Sequence, residues 1–191
     1  MLARKGELVK ISVGFAIAVF ISASSITLSQ APPSQKVAFF GRFSNMKFTR
    51  EHQYGSEVAL WKTGNVLIGH FLRSEGLAGD TPTGLIENVN YDPESGAIGF
   101  QAKLSMGDHF CSEHKGVHSR DIFLFKGILK GKIMSGVIKQ LDALHNSELV
   151  GTEKVQLKNT GMDGAFDPEP STYAEWEKES QQILQVRGPK W

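Results

Sequence analysis

Residues 97–104 read Ala-Ile-Gly-Phe-Gln-Ala-Lys-Leu, and the pattern of this stretch decides the fold class. Apolar side chains occupy every second position, at Ile98, Phe100, Ala102 and Leu104. The residues between them are small or polar. Because successive side chains of a β-strand point to opposite faces, this alternation predicts a strand with one buried face.

Seven further segments carry comparable strand patterns, at 37–43, 57–62, 66–73, 84–91, 122–129, 132–140 and 153–158. The connections between them are short and contain the Gly and Pro residues that hairpin turns need, as in Lys62-Thr63-Gly64-Asn65. About eight sequential strands with short turns predict an all-β domain, a single antiparallel up-and-down barrel that leaves no strand edge exposed. A two-layer sandwich is the alternative.

The C-terminal part changes character. Residues 159–170 are rich in Gly, Asp and Pro and predict a linker. Thr172 and Glu175 match a capping box, which predicts a helix that Gly188 and Pro189 end. The apolar residues of this amphipathic helix share one face: Tyr173, Trp176, Ile183 and Leu184.

The expected organisation is a leader at 1–31, a barrel domain at 32–158, the linker, and a C-terminal helix at 171–191. A single short helix is marginally stable in water, so we expect it to dock on the barrel. Binding of this helix to a partner protein is the alternative, and it predicts an exposed aromatic stripe at Trp176.

The N-terminus has the composition of a signal peptide. Arg4, Lys5 and Lys10 precede an apolar run at 11–21, and small polar residues follow it. This order is typical of an export signal, and we expect cleavage after Ala31. The alternative is an uncleaved anchor, through which alone the protein would contact a membrane. We therefore expect an exported protein, periplasmic or extracellular.

Composition limits the partners and the covalent chemistry. The 21 basic and 20 acidic residues nearly balance, and no basic stripe occurs along the sequence, so we expect no nucleic-acid partner. Cys111 is the only cysteine, which excludes an internal disulfide. No acid, base and nucleophile occur at a spacing that indicates catalysis, so we expect a protein that is not an enzyme.

One segment has the residue types of a metal site, with its candidate ligands inside ten residues: His109, Cys111, His114 and His118. Imidazole and thiolate are ligands that Zn²⁺ and copper prefer. The spacing matches no established zinc pattern, however, and a polar loop between strands is the simpler interpretation. We expect no resident cofactor, with Zn²⁺ or copper as the alternative.

In strand number, turn spacing and late helix, the chain resembles the lipocalin-type barrels. The Gly-x-Trp motif of their first strand is absent, with Phe40-Gly41-Arg42-Phe43 in its place, and their common cysteine pair is missing. The resemblance is one of form, and it implies a barrel around an apolar cavity.

The first functional hypothesis is a non-enzymatic protein that binds a small apolar or amphipathic molecule inside the barrel, since eight strands can leave room for one ligand. The expected cavity-lining residues are Leu60, Ile68, His70, Ile98, Phe100 and Phe123. Two alternatives remain: an envelope or extracellular module that binds another envelope protein, and a Zn²⁺ or copper protein.

Overall fold

The computed structural model describes residues 32–77, 79, 81–108, 115–161 and 169–191. The expected signal peptide and its cleavage site lie outside these residues. Within them, no helix combines the length and the apolar character that crossing a bilayer requires.

The described chain forms nine β-strands, one short 3-10 helix and one α-helix. The strands are β1 (Val37–Ser44), β2 (Lys47–Phe48), β3 (His52–Thr63), β4 (Val66–Leu77), β5 (Thr83–Tyr91), β6 (Ala97–Leu104), β7 (Asp121–Lys130), β8 (Ile133–Asp142) and β9 (Glu148–Asn159). The 3-10 helix (Ala143–His145) connects β8 to β9, and the α-helix α1 (Tyr173–Arg187) follows β9.

The strands form one antiparallel sheet that closes on itself. From β3 to β9 each strand pairs with the next, and β1 pairs with both β3 and β9. The seam between β1 and β9 is short: Phe43 lies opposite Asn159, and the Thr160 N–H donates to the Arg42 carbonyl over 2.9 Å. The result confirms the predicted eight-stranded up-and-down barrel with one C-terminal helix, and β2 is a short additional strand beside β3.

All eight predicted strands are present, and two begin five residues earlier than the apolar alternation indicates, β3 at His52 and β9 at Glu148. These extensions lie at one mouth of the barrel, where strand pairing continues without a buried apolar face and where Leu149 and Val150 are exposed. There Arg73 donates to Glu153 over 2.6 Å and to Ser56 over 2.9 Å, linking β4 to β9 across the opening. Ion pairs and hydrogen bonds therefore occupy this mouth.

The barrel interior is filled by apolar side chains from all eight barrel strands. They are Phe43, Val58, Leu60, Leu67, Phe71, Ile86, Ile98, Phe100, Ala102, Leu104, Phe123, Phe125, Leu129, Met134, Ile138, Val155 and Leu157. Aromatic rings contact each other across this core, with ring centroids 5.4 Å apart for Phe71 and Phe123 and 5.1 Å apart for Phe100 and Phe125. The interior is thus a packed core, as small eight-stranded barrels form.

Two glycines permit this packing where β7 and β8 meet. Gly127 and Gly136 lie opposite each other in the ladder, on the face that points into the barrel. A Cβ atom at Gly136 would lie 2.5 Å from the Lys126 carbonyl oxygen and 2.8 Å from the Phe125 ring. Only glycine leaves room here for the neighbouring backbone and for the aromatic ring above it.

The helix packs on the outer face of the barrel. Trp176 is 5% exposed, and its ring centroid lies 6.4 Å from that of Trp61 and 5.7 Å from that of His70. The aromatic stripe expected at Trp176 for a partner-binding helix is therefore covered by the barrel. The predicted capping box between Thr172 and Glu175 is confirmed.

The start of α1 is joined to the start of β1 by main-chain hydrogen bonds. The Val37 N–H donates to the Ser171 carbonyl over 3.0 Å, and the Tyr173 N–H donates to the Gln35 carbonyl over 2.9 Å. The first and last described segments of the chain thus lie side by side.

Candidate functional site

A groove lies on the outer face of the barrel, and its floor is made of outward side chains from β1, β3 and β4. Arg42, Ala59 and His70 are cross-strand neighbours in one row, and Glu57 and Leu72 are neighbours in the next. Because Ala59 is small and lies between two long side chains, the floor is recessed there.

The helix and the β2 arm form the walls of this groove. The helix contributes Gln182, Ile183, Val186 and Arg187, and the chain around β2 contributes Met46 and Phe48. Gly79, Thr81 and Thr83 also line it. The groove has a volume of about 670 Å³, which is in the range of sites for small organic molecules.

Arg42 is the charged residue at the floor, and its side chain is only 11% exposed. Its Nε lies 3.5 Å from Oε1 of Glu57, which pairs the charges. The geometry does not make a hydrogen bond, and the buried Nε–H has no acceptor among the described residues. A buried donor without an acceptor costs free energy, so the described protein groups do not fully satisfy this guanidinium.

His70 is held in one tautomer beneath the helix. Its Nε2 lies 2.9 Å from Ser180 Oγ, and Ser180 Oγ donates its own hydrogen to the Trp176 carbonyl over 2.7 Å. Nε2 must therefore carry the hydrogen that Ser180 accepts. Since Ser180 is buried and its hydroxyl hydrogen is engaged, this pair positions the helix and presents no nucleophile.

Burial, and secondarily the positive charge of Arg42, lower the pKa of His70 from 6.5 to about 4. The imidazole is consequently neutral at pH 7. Among the described residues that line the groove, the charged ones at this pH are then Arg42, Arg187 and Glu57, which leaves a net positive charge. The groove thus combines an Arg42–Glu57 ion pair at its floor with largely apolar walls that carry one further cation, Arg187.

The six residues predicted to line a cavity divide between two environments. Those that point into the packed core are Leu60, Ile98, Phe100 and Phe123. Ile68 and His70 differ from the expected direction, because they point outward beneath α1, and His70 lines the groove. Both faces of β4 carry apolar residues, so alternation did not distinguish inside from outside. Ligand binding by any of the six stays a prediction.

The predicted metal site is described only at one end. His109, Cys111 and His114 lie outside the described residues. His118 is described, and its Nδ1 hydrogen-bonds Asp108 Oδ1 at 2.5 Å. In the part of the chain that the structure describes, no three His, Cys, Asp or Glu side chains are grouped as metal ligands would be. The Zn²⁺ or copper site stays a prediction.

Sequence analysis missed Arg42 and the helix residues of the groove. The one available indication was a charged residue inside the apolar run Phe40-Gly41-Arg42-Phe43. Nothing in the sequence connects that residue to His70 or Ile183, which only the folded barrel brings to it.

No family model, curated protein or solved structure matches this chain. Its function is therefore inferred from the groove and from the outer surface of the barrel.

Proposed function

We propose that this chain is a non-enzymatic binding protein that holds a small amphipathic molecule with an acidic head in the groove under α1. The observation that carries the proposal is the buried guanidinium of Arg42 at the floor of a largely apolar groove, where its Nε–H has no acceptor among the described residues. The groove, and not the packed barrel interior, is the proposed site.

The acidic head of the ligand contacts Arg42. A guanidinium donates parallel hydrogen bonds to a carboxylate or a phosphate, and such charge-assisted bonds are stronger than neutral ones. Among the described residues, Glu57 forms a 3.5 Å ion pair with Nε without hydrogen-bond geometry, so the guanidinium keeps donor capacity for an acidic head. The second cation, Arg187, offsets the repulsion between the head and Glu57.

The apolar part of the ligand lies along the helix wall and the β2 arm. Val186 is 74% exposed and Phe48 is 69% exposed, although both line the groove. Covering such surface stabilises a complex by roughly 25 cal/mol for each Å² of apolar area removed from water. The exposed rim therefore favours a ligand with an acyl chain or an apolar ring system.

Export belongs to the same proposal. It is supported by the basic and apolar leader at 1–31. A protein of this kind would bind its ligand in the periplasm or outside the cell.

Calorimetry with dodecanoate and dodecanol tests the acidic head. The protein is expected to bind dodecanoate more tightly, and R42M is expected to weaken dodecanoate binding roughly 10- to 100-fold, the value of a charge-assisted hydrogen bond, without weakening dodecanol binding. If R42M does not fold, E57Q serves instead, because removal of the competing carboxylate should tighten dodecanoate binding. Equal affinity for both compounds, or no binding of either, would overturn the proposal.

The apolar wall is tested with a matched pair on the helix. V186D places a charge on the groove wall, whereas Q185D places the same charge on an exposed neighbour that does not line the groove. Only V186D should weaken dodecanoate binding, and both variants should melt at nearly the wild-type temperature. Equal effects of the two would indicate a general charge effect and would argue against this site.

A further inference from the structure

A second surface lies on the outer side of β7, β8 and β9, and we name it the lysine face. Its five lysines alternate with residues that point into the barrel: Lys126, Lys130, Lys139, Lys154 and Lys158. All five are exposed. The one acidic residue in segments 124–130, 133–139 and 152–158 is Glu153, whose carboxylate binds Arg73 at the barrel mouth.

Strand register arranges these lysines in rows with an aliphatic residue at the centre. Lys126, Val137 and Lys154 are cross-strand neighbours in one row, and Ile133 stands between Lys130 and Lys158 in another. Neighbouring strands lie about 4.8 Å apart, so the lysines of a row are roughly 10 Å apart. The face is therefore a regular pattern of cations separated by aliphatic side chains.

Several aliphatic side chains of this face are in contact with water. Ile128 is 53% exposed and Ile133 is 40% exposed, although both stand among lysines. The face contains no arginine and no aromatic ring at its outward positions between 124 and 158 in the three strands. Surfaces that bind nucleic acids typically use arginine and stacking aromatics, so the composition favours a different anionic partner.

Within the three strand segments of the lysine face, Glu153 alone stands against five positive charges. The acidic residues of the helical region lie on another part of the molecule, at Glu169, Glu175, Glu177 and Glu179. Like charges roughly 10 Å apart repel each other at physiological salt, where the screening length is about 8 Å. An external anionic surface would offset this repulsion over all five lysines at once.

We propose that the lysine face binds the surface of an anionic phospholipid bilayer. The ammonium groups contact the phosphate headgroups, and the long lysine stems leave room for Ile128 and Ile133 to reach the boundary of the acyl chains. Lysines near an anionic membrane each add favourable free energy that salt weakens. The inference does not depend on the ligand groove, which lies under α1.

Vesicle co-sedimentation of the full chain tests this binding. Vesicles of phosphatidylcholine alone are compared with vesicles that contain about 30% phosphatidylglycerol, at about 0.05 M and about 0.5 M NaCl. The test variant carries Lys→Gln at all five positions of the lysine face. The control variant has the same charge change at exposed lysines elsewhere: Lys36, Lys47, Lys62, Lys178 and Lys190.

The wild-type protein and the control variant should bind the anionic vesicles at low salt, and the test variant should bind on the order of a hundredfold more weakly. All binding should fall at high salt. Equal binding by the test and control variants would assign membrane contact to the leader or to another surface and would overturn the proposal. Preferential binding of a single-stranded oligonucleotide over anionic vesicles would also overturn it.

Discussion

The two faces of β3 and β4 carry opposite kinds of chemistry. Val58 and Leu60 point inward into a core that is apolar throughout, whereas Ala59 and His70 point outward, next to the charged Arg42. The inner face gains stability from close packing, and its polar residues Ser56 and Arg73 bond to each other at the barrel mouth. The outer face, buried only by one helix, keeps polar atoms that can take a partner. In this barrel, residues that stabilise the core and residues that can bind a partner thus alternate along the same strand.

The strongest test of that separation is the pair F71A and F48A. Phe71 is fully buried and contacts Phe100 and Phe123, whereas Phe48 is 69% exposed at the groove. F71A should lower the free energy of unfolding by roughly 3–5 kcal/mol, and F48A by less than about 0.5 kcal/mol. Urea denaturation measures both. Similar losses would mean that the groove rim is part of the core.

The pH dependence of stability tests the outer face. The pKa of His70 is 6.5 in the unfolded chain and about 4 in the folded chain, so between these values the unfolded chain binds more protons. The free energy of unfolding should therefore fall as the pH falls from 6.5 to 4, by about 3 kcal/mol.

The control for this pH effect is a substitution of His70 by a side chain that does not titrate. H70Q keeps an amide donor for Ser180 but cannot titrate, so its loss of stability over the same pH range should be smaller by that amount. Identical pH profiles for the wild type and H70Q would show that His70 is not buried as neutral imidazole.

The smallest expected effect on stability comes from replacing Gly136, which lies in the hydrogen-bonded ladder between β7 and β8. In G136A the new methyl group would meet the Lys126 carbonyl oxygen and the Phe125 ring, which should cost roughly 1–3 kcal/mol of unfolding free energy. G151A adds the same group where nothing lies within 4 Å and should be nearly neutral. Equal melting temperatures of the two variants would show that the inner face tolerates overpacking.

Much of the barrel could be predicted from the sequence, because its signals are local. Alternation along each strand and glycine-containing turns gave the strands and their order, and Thr172 with Glu175 gave the start of the helix. The inward or outward direction of β4 could not be predicted. Its inward Leu67 and Phe71 and its outward Ile68 are all apolar, since both faces of this strand are covered, one by the core and the other by α1.

The groove and the lysine face could not be predicted from the sequence, for a different reason. Arg42, His70 and Ile183 are far apart in the sequence, and Lys126 and Lys154 are separated by a whole strand and two turns. The total charge gave no indication of the lysine face. In the sum, the lysines of this face are offset by acidic residues elsewhere in the chain. Only strand register brings these residues together.

The main-chain hydrogen bonds between the start of β1 and the start of α1 determine when folding can be completed during biosynthesis. A nascent chain that emerges from a ribosome or a translocation pore presents Gln35 and Val37 long before Ser171 and Tyr173. The contact between these two segments must wait until residues 171–173 are available, and the pairing of β1 with β9 must wait until residues 158–159 are available. Folding of this protein is consequently completed only after residues 171–173 have been synthesised and released.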